Sequence, residues 1–387
     1  MSWVDVRVGD FAEIKHGFAF KGEFFVDQGD LVVLTPGNCH EHGGFRAKGE
    51  KEKFYSGPIP DGFLLEEGDL VVVMTDLVST APVLGGAFKI PENGRYLHNQ
   101  RLGLVEITRP DLVDKRFLYH IFNSGRYRAQ IRGSASGATV RHTAPGRIKE
   151  CSVSVPRDVH VQTKIADILS AYDDLIENNR RRIGLLEQAA RMLYREWFIH
   201  LRFPGHEHAK ITSGLPEGWE RKTLGDLLTL KRGYDLPEAR RVDGPIPIVS
   251  SSGITGYHNS KKADAPGIVT GRYGTIGEVF LVDEDFWPLN TALYVSDKKG
   301  NPEIFLLHVL RHTMASVQSD KAAVPGVNRN ILHTIKVDAP PIRLRQQFEE
   351  SAAVNFQQMH VLRETNQKLA EARDLLLPRL MNGEIAV

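Results

Sequence analysis

Between Lys115 and Lys149 the chain carries eight basic residues and no Asp or Glu: Lys115, Arg116, Arg126, Arg128, Arg132, Arg141, Arg147 and Lys149, with His142 among them. Such a stretch can hold a phosphate backbone in place; a solvated basic face is the plainer alternative. Phe117, Tyr119, Phe122 and Tyr127 are interleaved with it at helical spacing, which assigns them to a core. The small residues of 133–139 form a loop that a backbone could approach closely. Further along lie Lys261-Lys262, Gly271-Arg272-Tyr273-Gly274-Thr275 and Asn328-Arg329-Asn330. Arg and Asn are the side chains suited to paired hydrogen bonds with guanine and adenine edges. Lys15, Lys21, Lys231 and Arg232 complete the candidate DNA contacts, together with Arg46 and Lys48. Around the last two, Glu41, Glu50 and Glu52 nearly cancel Arg46, Lys48, Lys51 and Lys53.

Motifs for other chemistry are missing. No Gly-rich loop ends in Gly-Lys-Ser/Thr, and there is no His-Glu-x-x-His and no Gly-x-Ser-x-Gly. Asp338-Ala339-Pro340-Pro341 reads as a strand-to-helix junction rather than a methyltransferase motif, and no triad can be built from fifteen scattered histidines. Cys39-His40 with His42 is half a metal site without a second cluster nearby in sequence, so a loop without metal is expected. Two cysteines are too few for a disulfide framework, and the first residues lack a signal-peptide pattern; a reducing cytoplasm is the expected location. No apolar run approaches the length of a membrane span. A net charge of +1 excludes a uniformly basic nucleic-acid binder but not local basic faces.

The elements that must position these residues occur twice. Trp3, Gly9-Asp10, Lys15, Gly17 and Phe18 return as Trp219, Gly225-Asp226, Lys231, Gly233 and Tyr234, at a constant offset of 216. Gly86 and Asn99 then align with Gly277 and Asn290 at an offset of 191, and Leu97–Leu102 aligns with Pro288–Leu293. Phe117–Phe122 matches Phe305–Leu310, and Val140 and Ile148 match Val327 and Ile335 at 187. Pro156 and Pro340-Pro341 close the two copies. The falling offset places an insertion of about 25 residues in the first copy, between Asn38 and Phe63.

Each copy begins with short β-type runs, 31–34, 69–73, 267–270 and 278–282, punctuated by Gly, Pro, Asn and Asp. One helix per copy is expected at 117–131 and 304–319, giving an α+β pattern. The back parts differ. Ile165, Leu169, Tyr172, Ile176, Asn179, Ile183, Leu186, Ala190, Leu193 and Trp197 step by four and three alternately, a heptad seam. Asn179 is its one strongly polar member, and a buried seam Asn fixes register at a cost in stability. A weaker seam runs through Phe348, Ala352, Asn355, Met359, Leu362, Asn366, Leu369, Arg373 and Leu376, with Pro378 bending or ending that helix. The simplest arrangement pairs the two helices antiparallel, with a globular domain at each end; the alternative packs each helix on its own domain. The first would span about 50 Å at roughly 1.5 Å per residue, commensurate with DNA half-sites about 34–36 Å apart.

The residues also resemble a known family. Gln162-Thr163-Lys164-Ile165-Ala166, Ile176-Glu177-Asn178-Asn179 and Arg195-Glu196-Trp197-Phe198 are similar to the central conserved region of type I restriction–modification specificity subunits. Arg373–Leu380 with Asn382-Gly383-Glu384-Ile385 resembles their C-terminal one, and Gly271–Gly277 through Trp287–Ala292 resembles their target-recognition domains. The first copy departs from this pattern, with Met74-Thr75-Asp76 set against Thr270-Gly271-Arg272. The resemblance implies two mixed α/β target-recognition domains, 1–157 and 204–341, with conserved spacer helices at 158–203 and 342–387 in an internal pseudo-twofold repeat. It implies a non-catalytic subunit that reads a bipartite DNA target. Two methyltransferase subunits would bring S-adenosylmethionine, and motor–nuclease subunits would bring ATP and Mg; the chain itself would hold no cofactor. Two other classes remain. A nuclease or methyltransferase with its own active site would show activity as the purified chain. A coiled-coil adaptor binding only proteins would show no salt-dependent DNA shift.

Overall fold

The computed structural model describes residues 2–273, 277–319, 326–381, 383–385 and 387. Gly274, Thr275, Ile276 and Asn382, named above, lie outside them. Among the described residues eight α-helices follow in chain order: α1 (Lys115–Asn123), α2 (Gly125–Ser134), α3 (Pro145–Glu150), α4 (Val159–Tyr194), α5 (Leu224–Leu227), α6 (Glu303–Ser319), α7 (Arg329–Thr334) and α8 (Ile342–Met381). The chain forms two compact units: residues 1–179 with 364–387, and residues 180–363. Each unit therefore takes one half of each long helix, rather than ending where α4 and α8 begin.

In the first unit, Trp3–Arg7 pairs antiparallel with Ser152–Pro156. The buried run Leu70–Val73 lies inside a four-stranded sheet between Leu102–Ile107 and Ala87–Lys89, with Ala12–His16 at the edge. Its continuous apolar sequence suits a strand covered on both faces. A second sheet holds Phe25–Val26, Phe54–Tyr55, Val32–Val33 and Tyr96–Leu97. Val8, Phe11, Leu70, Val72, Phe117, Phe122 and Ile131 form the main core, joined by Ile165, Ala166 and Leu169 of α4 and Leu380 of α8.

The second unit repeats this plan. Glu220–Thr223 pairs with Lys336–Ala339, and Gly267–Gly271 lies between Ala292–Asp297 and Val279–Val282, with Thr229–Arg232 at the edge. Ile246–Ser250 runs into Gly253–His258 as a hairpin and pairs in parallel with Trp287–Pro288. The first unit instead separates Val32–Val33 from Phe54–Tyr55 by about twenty residues, which is the insertion expected from the falling offset. Tyr194, Phe198, Phe305 and Phe348 form an aromatic centre in its core.

The repeated residues have structural reasons. Asp10 and Asp226 accept backbone N–H bonds from Arg7 and Thr223, each at 2.8 Å, closing equivalent short helical turns. A Cβ at Gly17 would collide with the Asn99 carbonyl, and one at Gly233 with the Leu289 carbonyl. That pair of contacts shifts the alignment. Equivalent backbone bonds, such as Phe18 N–H to the His98 carbonyl and Tyr234 N–H to the Pro288 carbonyl, set the offset here at 190 rather than 191. Later, Val8 N–H bonds Cys151 O and Leu224 N–H bonds Ile335 O, an offset of 184 rather than 187. α3 and α7 are then the same element, which no run of identical residues marks.

The single helix expected at 117–131 is two. Ser124 takes an extended conformation and caps α2 through its hydroxyl, while Asp114 caps α1 through two backbone N–H groups. α8 continues through Pro378 to Met381 instead of ending at the proline. Ile165, Leu169, Ile176, Asn179, Met359 and Leu362 are buried, and Tyr172, Ile183, Leu186, Leu193, Asn366, Leu369 and Leu376 are half-buried. In the first unit the halves of α4 and α8 run antiparallel. Asn179 Nδ2 donates to Asn366 Oδ1 at 2.9 Å, and Arg373 Nη1 meets Asp173 Oδ1 at 2.6 Å. In the second, Trp197 and Tyr194 pack edge-on against Phe348.

Candidate nucleic-acid interface

In each unit one short segment connects the loops. In the first it is Leu97–Leu102: Phe18 N–H bonds its His98 carbonyl, Gly17 N–H its Leu102 carbonyl, and Met74 N–H its Arg101 carbonyl. In the second it is Leu289–Ala292 with Pro288, which takes bonds from Tyr234, Gly233, and both Arg272 and Tyr273. The chain leaving the central strand is gripped on its other side as well. Thr143 N–H bonds Met74 O, and Val327 N–H bonds Arg272 O. Met74, and not Asp76, therefore occupies the place of Arg272. Met74 is buried, whereas Arg272 is half-buried with its guanidinium 4.6 Å from the centre of the exposed Tyr273 ring.

Around Arg272 the second unit gathers several of the expected residues. Tyr273 lies so close to Gly326 that a Cβ there would enter its ring. Asn328 and Arg329, both exposed, follow Val327; the Asn328 side chain caps α7 by accepting the Asn330 N–H. Lys231 stands 5.4 Å from the Tyr234 ring centre, and Lys262 stands 5.6 Å from Tyr234 and 5.2 Å from Trp287. The Tyr234 phenol sits below its ordinary range because Tyr294 and Lys231 hydrogen-bond to it. Two exposed lysines from separate segments thus stand over the half-buried Tyr234, with the buried Trp287 behind Lys262. Tyr234 and Trp287 were not among the DNA contacts expected from sequence; the repeat pairing Phe18 with Tyr234 was the signal for the first, and the family-like run Trp287–Ala292 was the signal for the second. Arg232 is exposed beside Asp235 at 3.9 Å.

Lys261 is different. It bonds Asp264 at 2.7 Å and Asp285 at 2.6 Å, and these carboxylates raise its pKa. Its charge is answered within the protein.

In the first unit, Arg141 and His142 pair in register with Asp76 and Thr75. His142 Nδ1 lies 3.0 Å from Thr75 Oγ1, and Arg141 donates to the Arg132 carbonyl at 2.8 Å. Arg126 is exposed at the start of α2, and Arg46 and Lys21 are exposed elsewhere. Lys15 is exposed but paired with Glu106 at 2.6 Å. Two of the candidate DNA contacts are engaged within the protein. Arg128 is buried, and both its terminal nitrogens are taken by the Glu41 and Pro82 carbonyls, so it ties loops together and cannot reach a phosphate. Lys48 is half-buried, donates to Thr35 Oγ1 at 3.1 Å and faces Glu52 at 3.7 Å.

The residues open to other chemistry are quiet. Burial pushes the Cys39 thiol up to about 12 and the Cys151 thiol to about 11, so neither is a thiolate at neutral pH. Burial, with Lys89 and Arg373 nearby, lowers His120 to about 3; burial, with Arg311 and Arg191, lowers His308 to about 3. Among the described residues no three His, Cys, Asp or Glu side chains are grouped to hold a metal ion, and no helix is long and apolar enough to cross a membrane.

Comparison with known proteins agrees with this arrangement. The family model for the type I restriction modification DNA specificity domain matches residues 1–188 and 216–349. The chain is 29% identical over 435 aligned positions to the type I restriction enzyme EcoBI specificity subunit of Escherichia coli, covering 99% of this chain and 86% of that one. It is 25% identical over 341 to the MjaIX specificity subunit of Methanocaldococcus jannaschii, covering 80% and 77%. It shares its fold with the crystal structure of the S subunit from M. genitalium, at a TM-score of 0.55 and 17% identity, covering 98% and 96%. With both copies of the repeat matched, the chain belongs to the type I restriction–modification DNA specificity family.

Proposed function

We propose that this chain is the target-reading subunit of a type I restriction–modification complex, with each unit reading one half of a split DNA sequence. The observation that carries the reading is the duplicated loop hub, which presents Arg272, Tyr273, Lys231 and Lys262 in one unit and Arg141 and His142 in the other. The chain itself is non-catalytic in this reading. Methylation uses S-adenosylmethionine on two methyltransferase subunits, and cleavage, where it occurs, uses ATP and Mg on motor–nuclease subunits.

The long helices serve as a paired antiparallel spacer that sets the gap between the half-sites. Their outer faces support docking of the methyltransferase subunits. Exposed apolar residues recur every seven positions on them: Ile168 and Leu175, then Leu185, Met192 and Ile199 on and just after α4, and Val354 and Val361 on α8, with Leu375 two heptads further. A regular apolar stripe left in water marks a surface for a partner. The test is selection from random duplexes with the full chain and its co-purifying subunits, at several salt concentrations. Enrichment of two constant blocks around a fixed-length random gap, with binding that weakens steeply with salt, is expected. A single uninterrupted block, or no salt-dependent binding, would overturn the reading.

A further inference from the structure

We infer that the first unit reads thymine through its 5-methyl groups, using Leu77 and Val78, where the second unit uses a cationic donor. This rests on the reading that each unit binds duplex DNA. The equivalent backbone bonds put buried Met74 in the place of Arg272, so the first unit cannot present a long donor from that position. The chain next reaches solvent at Leu77 and Val78, which are 56% and 51% exposed and belong to no core cluster among the described residues.

The loop that carries them is held rigidly. Asp76 is buried, and its two carboxylate oxygens accept the Val78 N–H at 3.0 Å and the Val83 N–H at 2.7 Å. Ala81 N–H returns to the Val78 carbonyl at 2.9 Å, and Ala81 is buried with φ at 51°, a conformation that a side chain adopts only under tertiary constraint. Arg128 clamps the Pro82 carbonyl from below. Two apolar side chains held in water on a fixed loop cost hydration free energy that no core cluster among the described residues recovers.

The surroundings select the partner. Arg141 lies opposite Asp76 in the strand pair, His142 opposite Thr75, and exposed Arg101 bonds Met74 through its carbonyl. An apolar tip on a loop next to the strand pair of Arg141, with exposed Arg101 on the neighbouring segment, matches a duplex: arginines suit phosphates, and the one apolar feature on a base edge in the major groove is the thymine methyl. A protein partner would have to be acidic around an apolar centre.

The experiment uses the full chain in parallel selections from two random duplex pools, one containing thymine and one containing uracil in its place. A Leu77→Ser/Val78→Ser variant is selected from the thymine pool. In the thymine pool the parent is expected to enrich two half-sites. One half-site should contain one or two T·A pairs that lose their preference both in the uracil pool and in the variant, with affinity falling about fourfold for each methyl lost, the weight of burying one such group. The other half-site should be unchanged in the variant. If the variant keeps both half-sites intact, or loses positions that uracil leaves unaffected, the methyl contact is wrong while two-site reading stands. If neither pool is enriched, DNA reading itself fails, and this inference with it. The parent in the uracil pool tests the contact without any substitution.

Discussion

Two arginines, Arg128 in α2 and Arg272 just beyond the central strand of the second unit, have opposite roles. Arg128 is buried under two carbonyl bonds, so Arg128→Ala should lower stability by about 1–3 kcal/mol by leaving those carbonyls unpaired, visible as an earlier denaturation midpoint. Arg272 is held by Tyr273 on a fixed backbone; Arg272→Ala should leave stability alone, cost about 1–3 kcal/mol of binding on the selected target, and relax preference at one position. Exposed Arg126, if it meets phosphate, should weaken target and scrambled duplexes alike and reduce the salt slope by about one unit. Equal affinity of the Arg272 variant and its parent for both duplexes would remove that residue from the interface. The buried histidines give a pH effect. His120 and His308 have folded pKa values near 3 against an ordinary value of about 6.5. The stability they contribute is full above about pH 6.5 and declines as pH falls toward 3, because the unfolded chain takes up the protons first. Urea midpoints should therefore drop from pH 7 to pH 5. His308→Phe should make that drop shallower, since His308 Nε2 has no hydrogen-bond partner among the described residues and its ring stacks on Tyr194; an unchanged slope would contradict the assignment.

At the scale of elements, the seam around Asn179 makes the sharpest statement. Asn179 donates to Asn366, and Asn366 Nδ2 donates to the Ile176 carbonyl at 3.2 Å. Asn179→Leu alone should destabilise by about 1–3 kcal/mol, because Asn366 Oδ1 loses its donor inside the helix pair. Replacing both by Leu should recover most of that loss while weakening the register. A double-mutant cycle in denaturant reads this coupling, and additive effects would contradict it. The seam was legible in the sequence because helical burial follows a local period, and so were the central strands, whose apolar runs are continuous. The break at Ser124 was legible in principle from Asn123-Ser124-Gly125, but the surrounding aromatic spacing suggested one helix. The sequence left Pro378 as a bend or an end of α8; the choice between them lies with Leu380, which is drawn into the first unit's core by residues far away in sequence. The basic stretch pointed to Arg128 and Arg141 equally. Only tertiary packing distinguishes them, as it distinguishes Lys261, held by two carboxylates, from its neighbour Lys262.

For the whole molecule, the repeat is visible in the residues themselves, but its later offsets are wrong by one and by three residues when matching rests on residue identity. The hydrogen-bond pattern equates Met74 with Arg272, unlike residues, and α3 with α7, which share no identical residue and only the buried aliphatic pair Ile148 and Leu332. Function follows from the duplication if the two units act independently. Adding or removing one heptad between Ile176 and Leu193, with the matching change in α8, should alter the gap between half-sites, or abolish binding, and leave each half-site as it was; an active variant with an unaltered gap would show that the helices do not set it. The most direct test of independent reading exchanges residues 1–155 for the equivalent part of another specificity subunit and determines the selected target of parent and chimaera side by side. One half-site should switch to that of the donor while the other half-site stays. A chimaera whose two half-sites both change, or neither, would contradict the account.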